Sequence, residues 1–309
     1  MSRNFDNVWE TTSRVFSNTF MLPMMLVVMM AVPTGTMAGE SLGVSHELDV
    51  ELGYAGRGVT YQDGRNVGSI DELATDVKYV ISPQITNDLL LRVGADWQRF
   101  AFDTSQTGAL PDRLQHVSAV VGFDYQLADQ WVMRTEIQPG VYGSLAQIGW
   151  RNVDAPLFMG AVYLRDADLQ WFFGLRVDLR SQYPVFPALG VRWKYADDWT
   201  LDFQLPKPRL EYDVNDDLQA YLGASVKAGT FVVGEHFGDM HGNPALNHAT
   251  VDYTDVRLGP GIAWKVLPTL TLEAEGGYVI YRTWDFFDKH VKLDSHPAPY
   301  FQLACHARF

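Results

Sequence analysis

The residues best placed to act on ions or solutes are charged side chains that recur two apart. Arg134 with Glu136, Arg176 with Asp178 and Arg180, Arg192 with Lys194, and Glu273 with Glu275 all follow this spacing. Arg92, Asp96 and Asp124 fit the same parity in their own segments, as do Asp202, Arg257 and Lys265. A spacing of two places side chains on one face of a β-strand. Charges of both signs on one face can ring a water-filled passage and select ions. They can equally pair with one another and fill an interior. Asp49, Glu51, Lys227 and Arg308 extend the two sets, whose signs nearly balance.

Other chemistries find less support. G-x-S-x-G, HExxH, phosphate-loop and dinucleotide signatures are all missing from the sequence, and no cofactor is expected. His116 and Ser118 share a face, as do His306 and Tyr300, which chance alone produces under period-2 alternation. A barrel-borne hydrolase is the least favoured reading. His236, Asp239, His241 and His248 lie on one long loop, but their spacing matches no helical or hairpin metal site. Cys305 is the single cysteine and has no internal disulfide partner. Its neighbour His306 points to the opposite face of a strand, so Cys305 reads as a small apolar strand residue.

Strands must position these charges, and the alternation repeats along the chain. In DLLLRVGADWQ, Leu89, Leu91, Val93, Ala95 and Trp97 oppose Arg92, Gly94, Asp96 and Gln98. LQWFFGLRVDLR and HVSAVVGFDYQL follow the same rule. Trp97, Tyr125, Trp131, Trp171, Trp193 and Tyr195 begin or end apolar faces, as do Trp199, Trp264 and Tyr278. Rings at those places suit headgroup depth in a bilayer. Short links such as YQLADQWV, YADDWTL and KVLPTLTL alternate with long ones such as GSLAQIGWRNVDAP and HFGDMHGNPALNHATVDYT. Short turns on one side and long loops on the other are the pattern of a transmembrane β-barrel.

The fold expected is all-β, an antiparallel up-and-down transmembrane barrel. Strands fall near residues 46–56, 71–82, 88–100, 113–127, 131–142, 157–166 and 169–181. They continue near 187–196, 199–206, 209–214, 218–234, 252–266, 269–283 and 298–309. That makes about fourteen, or about twelve if the hairpin around Pro206 and Pro208 is irregular. Such a barrel has a modest lumen that side chains and inward loops can obstruct.

The chain has 309 residues, a net charge of −13, 47% hydrophobic residues and 13% aromatic residues, enough apolar content to bury a core. The acidic balance and the lack of basic runs argue against a nucleic-acid partner. Residues 1–38 read as a signal peptide: Arg3 and Arg14 precede the apolar run MLPMMLVVMMAVP, and Thr36 and Ala38 suit cleavage after Ala38. Residues 39–309 then form the barrel domain in the outer membrane of a diderm bacterium, with both ends periplasmic and acidic loops outside.

The closing segment PYFQLACHARF puts Phe301, Leu303, Cys305, Ala307 and Phe309 on one face. This resembles the assembly signal of bacterial outer-membrane β-barrels. The resemblance implies that barrel-assembly machinery reads this strand before it pairs with the first one, near HELDVELGYAG. With the segment PKPRLEYDVNDDLQAYLGA, the chain is also similar to an uncharacterised family of transporter-like barrels of unknown function. The functions implied are a porin-like or substrate-selective channel in contact with outer-membrane lipid, or a closed barrel whose loops bind partners.

Overall fold

A computed structural model describes residues 43–104, 108–145 and 148–309; residues 1–38, expected to be a signal, lie outside them. The described residues form one closed antiparallel barrel of fourteen strands. In chain order these are β1 (Val44–Gln62), β2 (Arg65–Thr86), β3 (Leu89–Thr104) and β4 (Arg113–Ala128). The fifth, β5, has two pieces, Trp131–Ile137 and Gly140–Tyr142, as has β6, Val153–Asp154 and Leu157–Leu164. Then follow β7 (Leu169–Val177), β8 (Val185–Ala196), β9 (Trp199–Phe203), β10 (Arg209–Asp213) and β11 (Leu218–Val232). The ring ends with β12 (Thr250–Leu267), β13 (Leu270–Phe286) and β14, in the pieces Val291–Ser295 and Ala298–Arg308.

Each strand pairs with the next, and β14 returns to β1 with Glu47 opposite Arg308 and Ala55 opposite Tyr300. The seam is finished by mutual backbone hydrogen bonds between His46 and Phe309, whose rings stack at 5.2 Å. The hairpin around Pro206 and Pro208 is regular enough to pair, so the larger of the two expected strand numbers holds.

Strand lengths depart from expectation in several places, among them the outer piece of β14, Val291–Ser295, where no strand was expected. The first two strands run past residues 56 and 71 to a two-residue turn at Asp63 and Gly64, whose φ angles are +50° and +76°. Asp-Gly is a favoured pair for such a turn, because its twist matches that of the flanking strands. Arg180, expected on a strand, lies beyond the end of β7 in the loop to β8. The strands beside Pro206 and Pro208 are short: β9 and β10 have five residues each, whereas their neighbours β8 and β11 have 12 and 15.

This low point shapes the wall. β8 pairs with β9 only from Val191 onward, so Val185 to Gly190 pair with β7 alone. On the other side, the upper part of β11 leaves the ring and turns inward. Val232 makes a parallel bridge to Gly143, just past β5, and Phe231 reaches within 6.2 Å of Phe100 and 6.5 Å of His116. Gly143 has φ +141°, and a Cβ there would collide with the Val232 carbonyl. Only glycine takes that conformation and approach without strain.

The outward faces carry the apolar residues, with Val93 opposite Val121 and Leu91 opposite Phe123. Paired rings gird the end that bears the short turns: Trp131 with Tyr163 and Trp199 with Tyr212, both at 4.9 Å. A barrel with this surface is membrane-spanning, because water would not solvate such a continuous apolar belt. Val121 lies midway along it. Val121→Arg is expected to lower unfolding free energy in lipid vesicles by about 2–4 kcal/mol, whereas Leu179→Arg, in the β7–β8 loop, changes it little; urea titration measures both.

Candidate functional site

Alternation turns the expected charges inward, and the structure shows which of them meet. On the β1–β5 side, Arg92 lies 3.1 Å from Glu47, 3.6 Å from Asp124 and 3.4 Å from Glu136. Arg134 holds Asp124 at 2.6 Å, and Lys78 holds Glu136 at 2.6 Å. Asp96 is buried 3.6 Å from His116 Nε2. His116 and Ser118 do face the same interior, but His116 stacks on the Tyr142 ring at 4.9 Å. No catalytic arrangement of nucleophile and base is formed there.

A second network crosses the lumen. Arg257 on β12 donates to Glu72 on β2 at 2.8 Å and to Asp255 at 2.8 Å. Arg282 on β13 reaches the same two carboxylates at 3.2 and 3.0 Å. The Tyr253 hydroxyl also donates to Glu72. Glu51 on β1 is held by Lys207, from the turn between β9 and β10, at 2.8 Å, and by Lys227 on β11. Gly53 makes room for this crossing, since a Cβ there would sit 2.8 Å from Arg257 Nη1. Nearer the short-turn end, Arg209 makes a two-pronged contact with Glu273 at 2.7 and 3.1 Å and lies 3.9 Å from Glu275. Lys265 lies half-buried at that end. Across the seam, Asp49 is 2.8 Å from both His306 and Arg308.

The β7–β10 side differs. Arg176 with Asp178 at 2.9 Å, Arg192 with Glu211 at 2.8 Å, and Lys194 with Asp213 at 3.9 Å also form pairs. Arg192 pairs with Asp202 too. Yet the side chains of Arg176, Arg192 and Lys194 keep 29%, 29% and 43% of their exposure, against 2% for Arg92 and 0% for Arg257. Solvent therefore reaches these three cations, whereas Arg92 and Arg257 are sealed from it. Arg180 does not join this row: it donates to the backbone carbonyls of Trp150 and Arg151 at the long-loop end.

Several members of the networks lay outside the sequence expectation: Glu47, Glu72, Lys78, Lys207, Arg209 and Arg282. Parity was a usable signal for Glu47, two residues before Asp49. It fails for Arg282, because a bulge between Val279 and Tyr281 shifts the alternation. Near the long loops the lumen is obstructed by side chains and an inward loop. There Phe100, Phe102, Phe231, Tyr253, Trp284 and Phe286 form a buried aromatic cluster. Phe237 and Leu246 join it from the β11–β12 loop. The histidines of that loop find separate partners: His236 is 3.5 Å from Asp239, His241 Nδ1 is 2.7 Å from the Phe237 carbonyl, and His248 is 3.9 Å from Glu235. Among the described residues no group of three such ligands could hold a metal.

On the last strand, Phe301, Leu303 and Phe309 face outward and exposed, with Cys305 half-buried and Ala307 covered. A family model described as a domain of unknown function, DUF6268, matches residues 84–307. The chain belongs to the DUF6268 family. No curated protein matches it. Among solved structures, an outer membrane channel from Pseudomonas putida F1 shares 9% identity over 90% of this chain and 100% of its own, with a TM-score of 0.44. The NanC porin shares 12% over 84% and 98%, TM-score 0.37. A TodX monoaromatic hydrocarbon channel variant shares 13% over 86% and 90%, TM-score 0.38.

In this DUF6268 barrel, Arg257 shares two buried acids, Glu72 and Asp255, with Arg282, so its loss leaves each with a single cation. Arg257→Met is expected to destabilise the barrel by about 1–3 kcal/mol, and adding Glu72→Gln recovers part of the loss. Denaturant titration of the single and double variants in vesicles tests the coupling.

Proposed function

We propose that this chain is an integral outer-membrane barrel that passes small solutes selectively along the β7–β10 half of its lumen. Support comes from the solvent exposure that Arg192 and Lys194 retain while pointing inward, in contrast to the sealed Arg92 and Arg257 across the barrel. Cations and carboxylates alternate along that half, so a passing ion meets both signs within a few ångströms. In this reading residues 1–38 are a cleaved signal, and the short turns and both chain ends lie in the periplasm of a diderm bacterium. Short turns at one end and long loops at the other support that orientation.

The outward row on β14 supports a second element of the proposal. Phe301, Leu303, Cys305, Ala307 and Phe309 are what barrel-assembly machinery would read before β14 closes on β1. Replacing Phe309 with Ser is then expected to reduce the heat-modifiable barrel recovered from outer-membrane fractions severalfold, while total synthesis stays constant.

A closed, surface-binding barrel is the competing reading, favoured by the aromatic cluster at the long-loop end. Planar-bilayer recording separates the two. A channel gives small unitary conductance, and Arg192→Glu shifts its reversal potential toward cation selectivity, whereas Ser225→Ala, buried on β11, leaves it unchanged. Zero conductance in wild type and in both variants leaves only the closed barrel.

A further inference from the structure

The low wall at β9 and β10 has a counterpart above it. The upper ends of β7 and β8 pass outside the inturned upper ends of β11 to β13, so the wall overlaps itself there. The inner face of β7–β8 consequently looks onto what is, by alternation, the outer face of β11–β13. On that outer face Val226 lies opposite Val256, Ala228 opposite Thr254, and Thr254 opposite Thr283. The β7–β8 loop fastens the overlap. Ser181 Oγ and the Gln182 backbone N–H donate to Asp252 Oδ2 at 3.0 and 2.8 Å, and Thr230 Oγ1 donates to Asp252 Oδ1 at 2.7 Å.

Between the two layers lies a cavity of about 420 Å³. Phe158, Phe172 and Phe186 line one wall, with Ala188 between them. Val226, Ala228 and Tyr281 line the other. The Phe158 and Phe172 rings stand 6.3 Å apart and nearly parallel, at 10°. The two cations at its edge already have partners: Arg176 has Asp178 at 2.9 Å and Lys292 has Asp294 at 3.3 Å, while Asp252 takes the three neutral donors above and stands opposite Asp285. An anionic ligand would have to break one of these ion pairs or remain uncompensated beside carboxylates in apolar surroundings. An uncharged ring meets aromatic faces on one side and methyl groups on the other.

We propose that this overlap is a binding site for an uncharged, ring-bearing small molecule, reached from the side of the barrel above the β9–β10 hairpin. The site goes beyond the channel reading and does not depend on ions crossing the lumen.

Equilibrium dialysis of the full barrel in nanodiscs tests it, with 2-naphthol as the neutral probe, 2-naphthoate as its anionic counterpart and empty nanodiscs as background. Saturable uptake of about one naphthol per barrel is expected, with naphthoate roughly tenfold or more weaker. Ala188→Trp fills the cavity from one wall and Ala228→Trp from the other. Each is expected to weaken naphthol binding about tenfold or more while the heat-modifiable band persists. Naphthoate binding as tightly as naphthol to the wild-type barrel overturns the proposal, as does naphthol binding unaltered in both tryptophan variants. Naphthol binding by a barrel that shows no conductance upholds the site and removes the channel, so the two readings fail separately.

Discussion

Closing fourteen strands into a ring gives lipid one face of every strand, so each charge turned to the other face must be neutralised within the lumen. Much of the interior follows from that constraint. Arg92 gathers three carboxylates from three strands, and Glu51 gathers two lysines from the far side. Such pairs gain little over a hydrophobic filling, because desolvation offsets most of their attraction. What they add is geometric: a carboxylate on β2 that accepts from β12 and β13 ties opposite walls together and sets the cross-section.

The same constraint is relaxed around β7–β10, where the pairs are looser and wetter. The short β9–β10 hairpin explains the difference. With two strands of five residues, the wall is too low to sustain the continuous rows of partners available between β1 and β5. Lys207, at the tip of that hairpin, reaches inward to Glu51, so the low wall still contributes one tie across the lumen. The inturned end of β11 then lets the aromatic cluster form above.

Local pattern made a good deal of this architecture legible. Period-2 alternation, punctuated by Asp, Asn and Pro, located the fourteen strands, because it is a property of short segments, whereas the pairing of the last strand with the first was implied by the resemblance of PYFQLACHARF to a barrel assembly signal. Parity likewise placed Arg92, Asp124, Arg134, Glu136 and Arg257 inside. Which charge meets which was not legible: Glu72 and Arg257 are 185 residues apart, and their contact depends on the ring's curvature. The aromatic cluster of Phe100, Phe231 and Trp284 was not legible either. Their parity is inward, but an aromatic residue facing a lumen makes sense only once a loop is known to fold over it. The Asp63 and Gly64 turn was visible in the residues and shows that the first hairpin's extra length had a local cause.

The seam between β1 and β14 also governs how the molecule comes into being. Asp49 meets His306 and Arg308 across intervals of 257 and 259 residues, nearly the whole described chain. Contacts of such separation are slow to find, since loop-closure entropy must be overcome before they contribute. Ring closure is therefore a late event in folding. Until β14 meets β1, each of these two strands presents a row of unpaired backbone groups, an edge ready to zip onto any neighbouring sheet.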